Sequence, residues 1–109
     1  MINLINIKGF KIPPDGIYIG RWNPRFPASP LANPFKISKD CSREQAIAQY
    51  RLWLWQQMQA DTRVLRELQR IQQLEVTTEV TLMCWCYPLP CHGDIVIRAV
   101  EWLKKSTAD

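Results

Sequence analysis

With 109 residues, 47% of them apolar, the chain has material for one folded domain with a useful core, and its five tryptophans exclude an intrinsically disordered segment. Fourteen basic and ten acidic residues leave a formal net charge of +4, which permits attraction to phosphate or nucleic acid but is also carried by ordinary soluble proteins. No apolar run approaches the ~20 residues of a bilayer span and no charged leader precedes an apolar targeting segment, so no membrane partner is expected and the expected location is cytoplasmic.

The opening run INLINIKGF is rich in branched residues and reads as a strand, closed by Gly9 and the pair Pro13-Pro14. Asp15-Gly16 is a turn signal before a second short strand from Ile17 to Ile19. Gly20 permits close backbone approach at its end, and Arg21 is delivered to one rim of the fold. Residues 21–36 carry prolines at 24, 27, 30 and 34, a density that excludes a regular helix or central strand. Trp22, Phe26, Leu31 and Phe35 give this stretch apolar anchors, so it is expected to be an ordered proline-rich loop rather than a linker. Arg21, Arg25, Asn33 and Lys36 are placed to surround an anionic or polar ligand, because guanidinium offers a fixed donor fork and asparagine both a donor and an acceptor. The structural alternative is that Asn33 caps a turn, Arg21 makes an ion pair, and Arg25 and Lys36 are solvated.

Residues 42–73 form a helical region. Ser42 and Gln45 have capping-box spacing, and Ile47, Tyr50, Leu54 and Met58 recur on one face beyond them. Asp61 is expected to cap a second helix with Val64, Leu65, Leu68 and Ile71 on its inner side. The basic residues between Lys39 and Arg70, Arg43 among them, share no evident face and read as solvated charges. Trp53 and Trp55 are two residues apart and cannot occupy the same narrow face, which leaves one at an interface or beneath the loop.

Residues 80–103 contain a central strand, a Cys-His loop and the final helix. From Val80 to Cys86 both faces of an extended chain are apolar, which suits the middle of a covered sheet. Pro88 and Pro90 end the strand, and Val96, Ala99, Val100 and Leu103 then form a helical stripe widened by Ile95 and Trp102. Trp85 and Tyr87 can stack on a base, but Trp85 is expected to pack in the core. The order β, β, long loop, α, α, β, α implies an α/β fold: a compact single domain over 1–109 with a small mostly parallel or mixed sheet flanked by helices. No glycine-rich phosphate loop, HExxH motif or nucleophile elbow is present.

YIGR at 18–21, ANPFK at 32–36, SREQAIAQY at 42–50 and CWCYPLPCHGD at 84–94 together resemble the domain-of-unknown-function family numbered 4326. The resemblance spans roughly residues 17–103 and is carried mainly by the last motif; Ala32 stands where the family commonly has glycine before NPF. The Cys, Cys-His segment is also similar, at fold level only, to the domain-of-unknown-function family numbered 488. Neither resemblance implies a reaction. Carried over by position, it implies Arg21, Asn33, Cys84, Cys86, Cys91, His92 and Asp94 as site residues.

Two accounts of the Cys-His segment compete. Zinc accepts thiolate and imidazole, so Cys84, Cys86, Cys91 and His92 make an alternative structural zinc set, although the adjacent Cys91 and His92 demand an awkward turn. The preferred account needs no metal or other cofactor. Gly93 and Asp94 amides at a helix start meet an anion, with Arg21, Asn33 and Lys36 as further ligand-binding residues. His92, Asp94 and Cys91 are then the candidate catalytic groups. The expected partner is a phosphorylated or nucleotide-like small molecule; nucleic-acid association and a structural or partner-binding module, with a homodimer as one form of it, are the competing readings.

Overall fold

The computed structural model describes residues 2–7, 15–85 and 92–107. Three strands, β1 (Ile2–Asn6), β2 (Ile17–Tyr18) and β3 (Val80–Cys84), form one sheet in the order β1-β3-β2. Both pairings are parallel, with Ile2 opposite Val80 and Ile17 opposite Leu82. The sheet therefore has β3 at its centre, as the two apolar faces of Val80–Cys84 require. Val80, Leu82 and Cys84 join the main core, while Met83 on the opposite face is also buried. The amides of Ile7 and Ile19 extend the pairings past the strand ends, each bonding to β3 at 3.0 Å. Described β3 ends at Cys84; Cys86, Tyr87, Pro88, Pro90 and Cys91 lie outside the described residues.

Three helices cover the sheet: α1 (Arg43–Gln57), α2 (Arg63–Thr77) and α3 (His92–Thr107). The inward stripes of α2 and α3 follow the marked periodicity, while on α1 Ala46 is buried and Ile47 and Met58 are only partly so. Ala46, Tyr50 and Leu54 are buried on α1, Val64, Leu68 and Ile71 on α2, and Val96, Ala99, Val100 and Leu103 on α3. Lys104 on α3 reaches the largely buried carboxylate of Glu75 on α2 at 3.1 Å, joining those two helices near their ends.

Two local expectations are corrected. The cap of α2 is Thr62: its side chain accepts from the Leu65 amide at 3.1 Å, and its own carbonyl takes the first helical bond, from the Arg66 amide, also at 3.1 Å. Asp61 instead turns outward to a two-pronged pair with Arg66, at 2.9 and 2.8 Å, which lowers its carboxyl pKa. Helix α2 also runs to Thr77 rather than ending at 73, because no proline or glycine interrupts it and Leu74 still packs against the core.

At the start of α1 the capping box is complete. Ser42 Oγ accepts from the Gln45 amide at 3.1 Å, and Gln45 Oε1 accepts from the Ser42 amide at 2.8 Å. Replacing Ser42 with alanine removes one of these bonds and is expected to lower stability by about 0.5–2 kcal/mol. Equilibrium urea unfolding of the two proteins checks this; identical midpoints would show that the cap contributes nothing.

Candidate functional site

The site grows from the end of β2. Alternation puts Ile17 and Ile19 in the core and Tyr18 and Gly20 on the other side. The Tyr18 ring folds over Gly20 so closely that a Cβ there would lie 2.6 Å from Tyr18 Cζ. Any other residue would push the ring away. The ring's position matters because its hydroxyl joins three segments: it donates to the Arg21 carbonyl and accepts from Asn23 Nδ2 at 2.9 Å and from the Trp85 indole at 3.1 Å. Phe26 stacks on its face at 4.8 Å.

Side chains and amides inside the proline-rich stretch hold its shape, since four of its residues are prolines without a donor. Asn23 Oδ1 accepts the amides of Arg25 and Phe26 at 2.8 and 3.2 Å, and the Ser29 amide returns to the Gly20 carbonyl at 3.0 Å. Asn33 Oδ1 accepts the Phe35 amide at 2.8 Å, and Arg21 Nε donates to the Asn33 carbonyl at 2.9 Å. Asn33 therefore does cap a turn, and Arg21 is latched to a backbone carbonyl rather than to a carboxylate.

His92 supplies the inner wall. Its Nε2 lies 2.6 Å from the Ile19 carbonyl, and a carbonyl only accepts, so Nε2 carries the proton and Nδ1 is the ring's remaining acceptor. The ring also meets Tyr50 edge-on at 5.1 Å, and Tyr50 donates its hydroxyl to the Leu31 carbonyl at 2.7 Å. Burial pushes the imidazole pKa down; the hydrogen bond to Ile19 opposes this, and the Arg21 charge adds to it.

These parts enclose a cavity of about 410 Å³, within the size range of small-molecule sites. Arg21, Lys36 and Arg43 bring three positive charges to its lining, and no carboxylate joins them among the described residues. Trp22, Phe35 and Trp85 contribute aromatic surface, and His92 and Asn33 contribute polar groups. Because Tyr18 ends β2, Gly20 lies just beyond it and Trp85 follows β3, the cavity lies at the carboxyl ends of two parallel strands. Ligands commonly bind at that edge in open α/β sheets.

The fold thus brings Arg21, Asn33, Lys36 and His92 to one cavity. Gly93 is buried and Asp94 exposed in the first turn of α3; Arg25 stands over the Phe26 ring at 5.8 Å. Cys84 is buried in the core, while Cys86 and Cys91 lie outside the described residues. Of the alternative zinc set, His92 already has Nε2 engaged, and no group of three metal-ligating side chains occurs among the described residues.

Two aromatic expectations are reversed. Trp85 is 42% exposed at the cavity rather than packed in the core, and Trp22, expected as an anchor, is 71% exposed. Trp85 falls at a bend just past β3, and Trp22 lies in the loop beyond the bend at Gly20. Arg43 and Tyr18 were not marked by the sequence as site residues. Position in the fold alone reveals Arg43, whereas the YIGR run gave a usable signal for Tyr18.

A family model described as a domain of unknown function (DUF4326) matches residues 2–102. No curated protein and no solved structure matches the chain.

The buried imidazole gives stability a pH dependence of known sign. His92 binds a proton less readily folded than unfolded, so its contribution is intact above the unfolded value of about 6.5 and is lost as pH falls toward the lowered folded value. The slope in that window is at most about 1.4 kcal/mol per pH unit. Unfolding midpoints between about pH 5.5 and 7.5 should fall with acidity in the parent and stay flatter in His92→Gln; equal slopes would contradict a buried neutral imidazole.

Proposed function

The chain belongs to the DUF4326 family, and for this member we propose that the cavity binds a nucleotide-like or other phosphorylated small molecule. One observation carries the proposal: three cations, with no lining carboxylate among the described residues, stand beside two exposed indoles at the carboxyl ends of parallel strands. A phosphate needs the first feature and a base or similar planar group the second. Arg21 already holds the Asn33 carbonyl through Nε, which leaves the terminal guanidinium nitrogens to face an anion in a fixed orientation. Lys36 and Arg43 add charge, and Trp22 and Trp85 supply stacking surface.

Any chemistry would run through His92. With Nε2 committed to Ile19, Nδ1 is the atom able to accept a proton or a hydrogen bond from the bound molecule. Asp94 and Cys91, its neighbours in sequence, would act through or beside it, and the Gly93 amide would add to the positive end of α3.

Nucleic acid is the less favoured occupant, because four of the described arginines are paired elsewhere or border another groove. Arg66 and Arg70 are paired with Asp61 and Glu67, and Arg51 and Arg98 border a different groove. Calorimetric titration with nucleoside monophosphates, sugar phosphates and a short single-stranded oligonucleotide tests the proposal. At least one monomeric phosphate should bind, more weakly at high salt. Lys36→Ala and Arg43→Ala should each weaken it by about tenfold, or about 1.4 kcal/mol. Trp22→Ala should cost about 1–3 kcal/mol if it stacks on the ligand. Absence of binding, or binding indifferent to all three substitutions, would refute the proposal; preference for the oligonucleotide would favour the other occupant.

A further inference from the structure

A second concavity, of about 420 Å³, lies between α1 and α3 on residues that the phosphate site does not use. Each helix carries large apolar side chains beyond those the core buries, with the half-buried Met58 and Ile95 bridging the two. On α1 the buried stripe is Ala46, Tyr50 and Leu54, yet Leu52, Trp55 and Met58 form another at three-residue spacing. On α3 the buried stripe is Val96, Ala99, Val100 and Leu103, while Ile95 and Trp102 line the same groove. Leu52 is 68% exposed, Trp55 47% and Trp102 44%, so the stripes meet but do not bury each other. The two indoles stand edge-to-face with centroids 5.0 Å apart. Leaving two tryptophans and a leucine in water loses hydrophobic stabilisation that a covering surface would recover.

Charge identifies the occupant. Arg51 and Arg98 line the groove, both exposed, and neither forms an ion pair among the described residues. No carboxylate lines the groove with them among the described residues. We propose that this groove docks an amphipathic helical segment of a partner protein whose apolar residues are flanked by aspartate or glutamate.

Length and shape agree with a helix. From Leu52 to Met58 the α1 wall runs about 9 Å, and from Ile95 to Trp102 the α3 wall runs about 10 Å, close to the two turns over which a helix presents residues i, i+3 or i+4, and i+7. Tryptophan and arginine are the side chains that most often dominate such interfaces, and Met58 adapts its shape to what it meets. A second copy of this chain fits poorly, because a two-fold contact through the groove would bring four arginines together with no lining carboxylate to answer them. A flat anionic membrane does not fill a concave groove held between two helices.

The test uses the full chain, immobilised, and a phage-displayed peptide library. Selected sequences should carry apolar residues at helical spacing with flanking acids, and synthetic copies should bind in solution. The double substitution Arg51→Glu and Arg98→Glu, at exposed positions, should leave thermal unfolding unchanged and weaken binding at least tenfold. Lysine-for-acid peptides should regain affinity for that variant, and Trp102→Ala should weaken both pairs. Four results would overturn the proposal: no enriched peptides, peptides without acids, binding that ignores the charge reversal, or sedimentation showing that the parent self-associates through this face. Phosphate binding at the other cavity is read separately and bears on neither outcome.

Discussion

The hydrogen bond from His92 Nε2 to the Ile19 carbonyl is the contact on which the arrangement of this small domain depends. Residues 19 and 92 come from segments separated by two helices and a strand, and the bond fixes the first turn of α3 against the exit of β2. The same ring abuts Tyr50 on α1, whose hydroxyl holds the Leu31 carbonyl in the proline-rich stretch. Four segments are thereby tied through two side chains. Every member is nearly or wholly buried, so each polar atom left without its partner would carry the full desolvation penalty. That penalty makes the junction specific.

A second tie operates at the surface side of the same region. Tyr18 uses its hydroxyl to hold Arg21, Asn23 and Trp85, and it reaches that position only because Gly20 presents no Cβ beneath the ring. Buried and exposed ties divide the labour: His92 and Tyr50 set where the segments lie, and Tyr18 sets how the cationic and aromatic groups at the cavity are presented. Arg21 is held at Nε and Asn33 at Oδ1, so both would meet a ligand already ordered. Groups fixed before binding lose less freedom when a ligand arrives.

Much of the fold was legible in the sequence, for reasons that differ by element. A strand apolar on both faces, Val80 to Cys84, has few places to go other than the centre of a covered sheet, and it stands there. The Ser42 and Gln45 pair names a helix start by chemistry rather than by statistics, and both bonds are made. Asp61 and Thr62 were harder to separate, since either can cap and the choice rests on where the helix begins, which is at Arg63. At the site, Arg21, Asn33, Lys36 and His92 share a cavity because Arg21 follows a strand end, Asn33 and Lys36 follow the turns of the loop, and His92 begins a helix. Trp22 and Trp85 were misplaced because periodicity stops where strands end, and beyond that point hydrophobicity no longer tells inside from outside. Arg43 was invisible for another reason: a charge in the first turn of a helix looks the same whether it faces water or a cavity.

The two-dimensional ¹H–¹⁵N spectrum tests most directly whether the cationic, aromatic cavity is a phosphate-ligand site. Five indole resonances report from three places: Trp22 and Trp85 line the cavity, Trp53 packs against the core, and Trp55 and Trp102 line the second groove. On titration with a nucleoside monophosphate, the Trp22 and Trp85 signals should move together and saturably while the other three stay in place. Saturable shifts confined to Trp55 and Trp102, or no shift at any indole, would contradict a nucleotide-like ligand at the edge where β2 and β3 end.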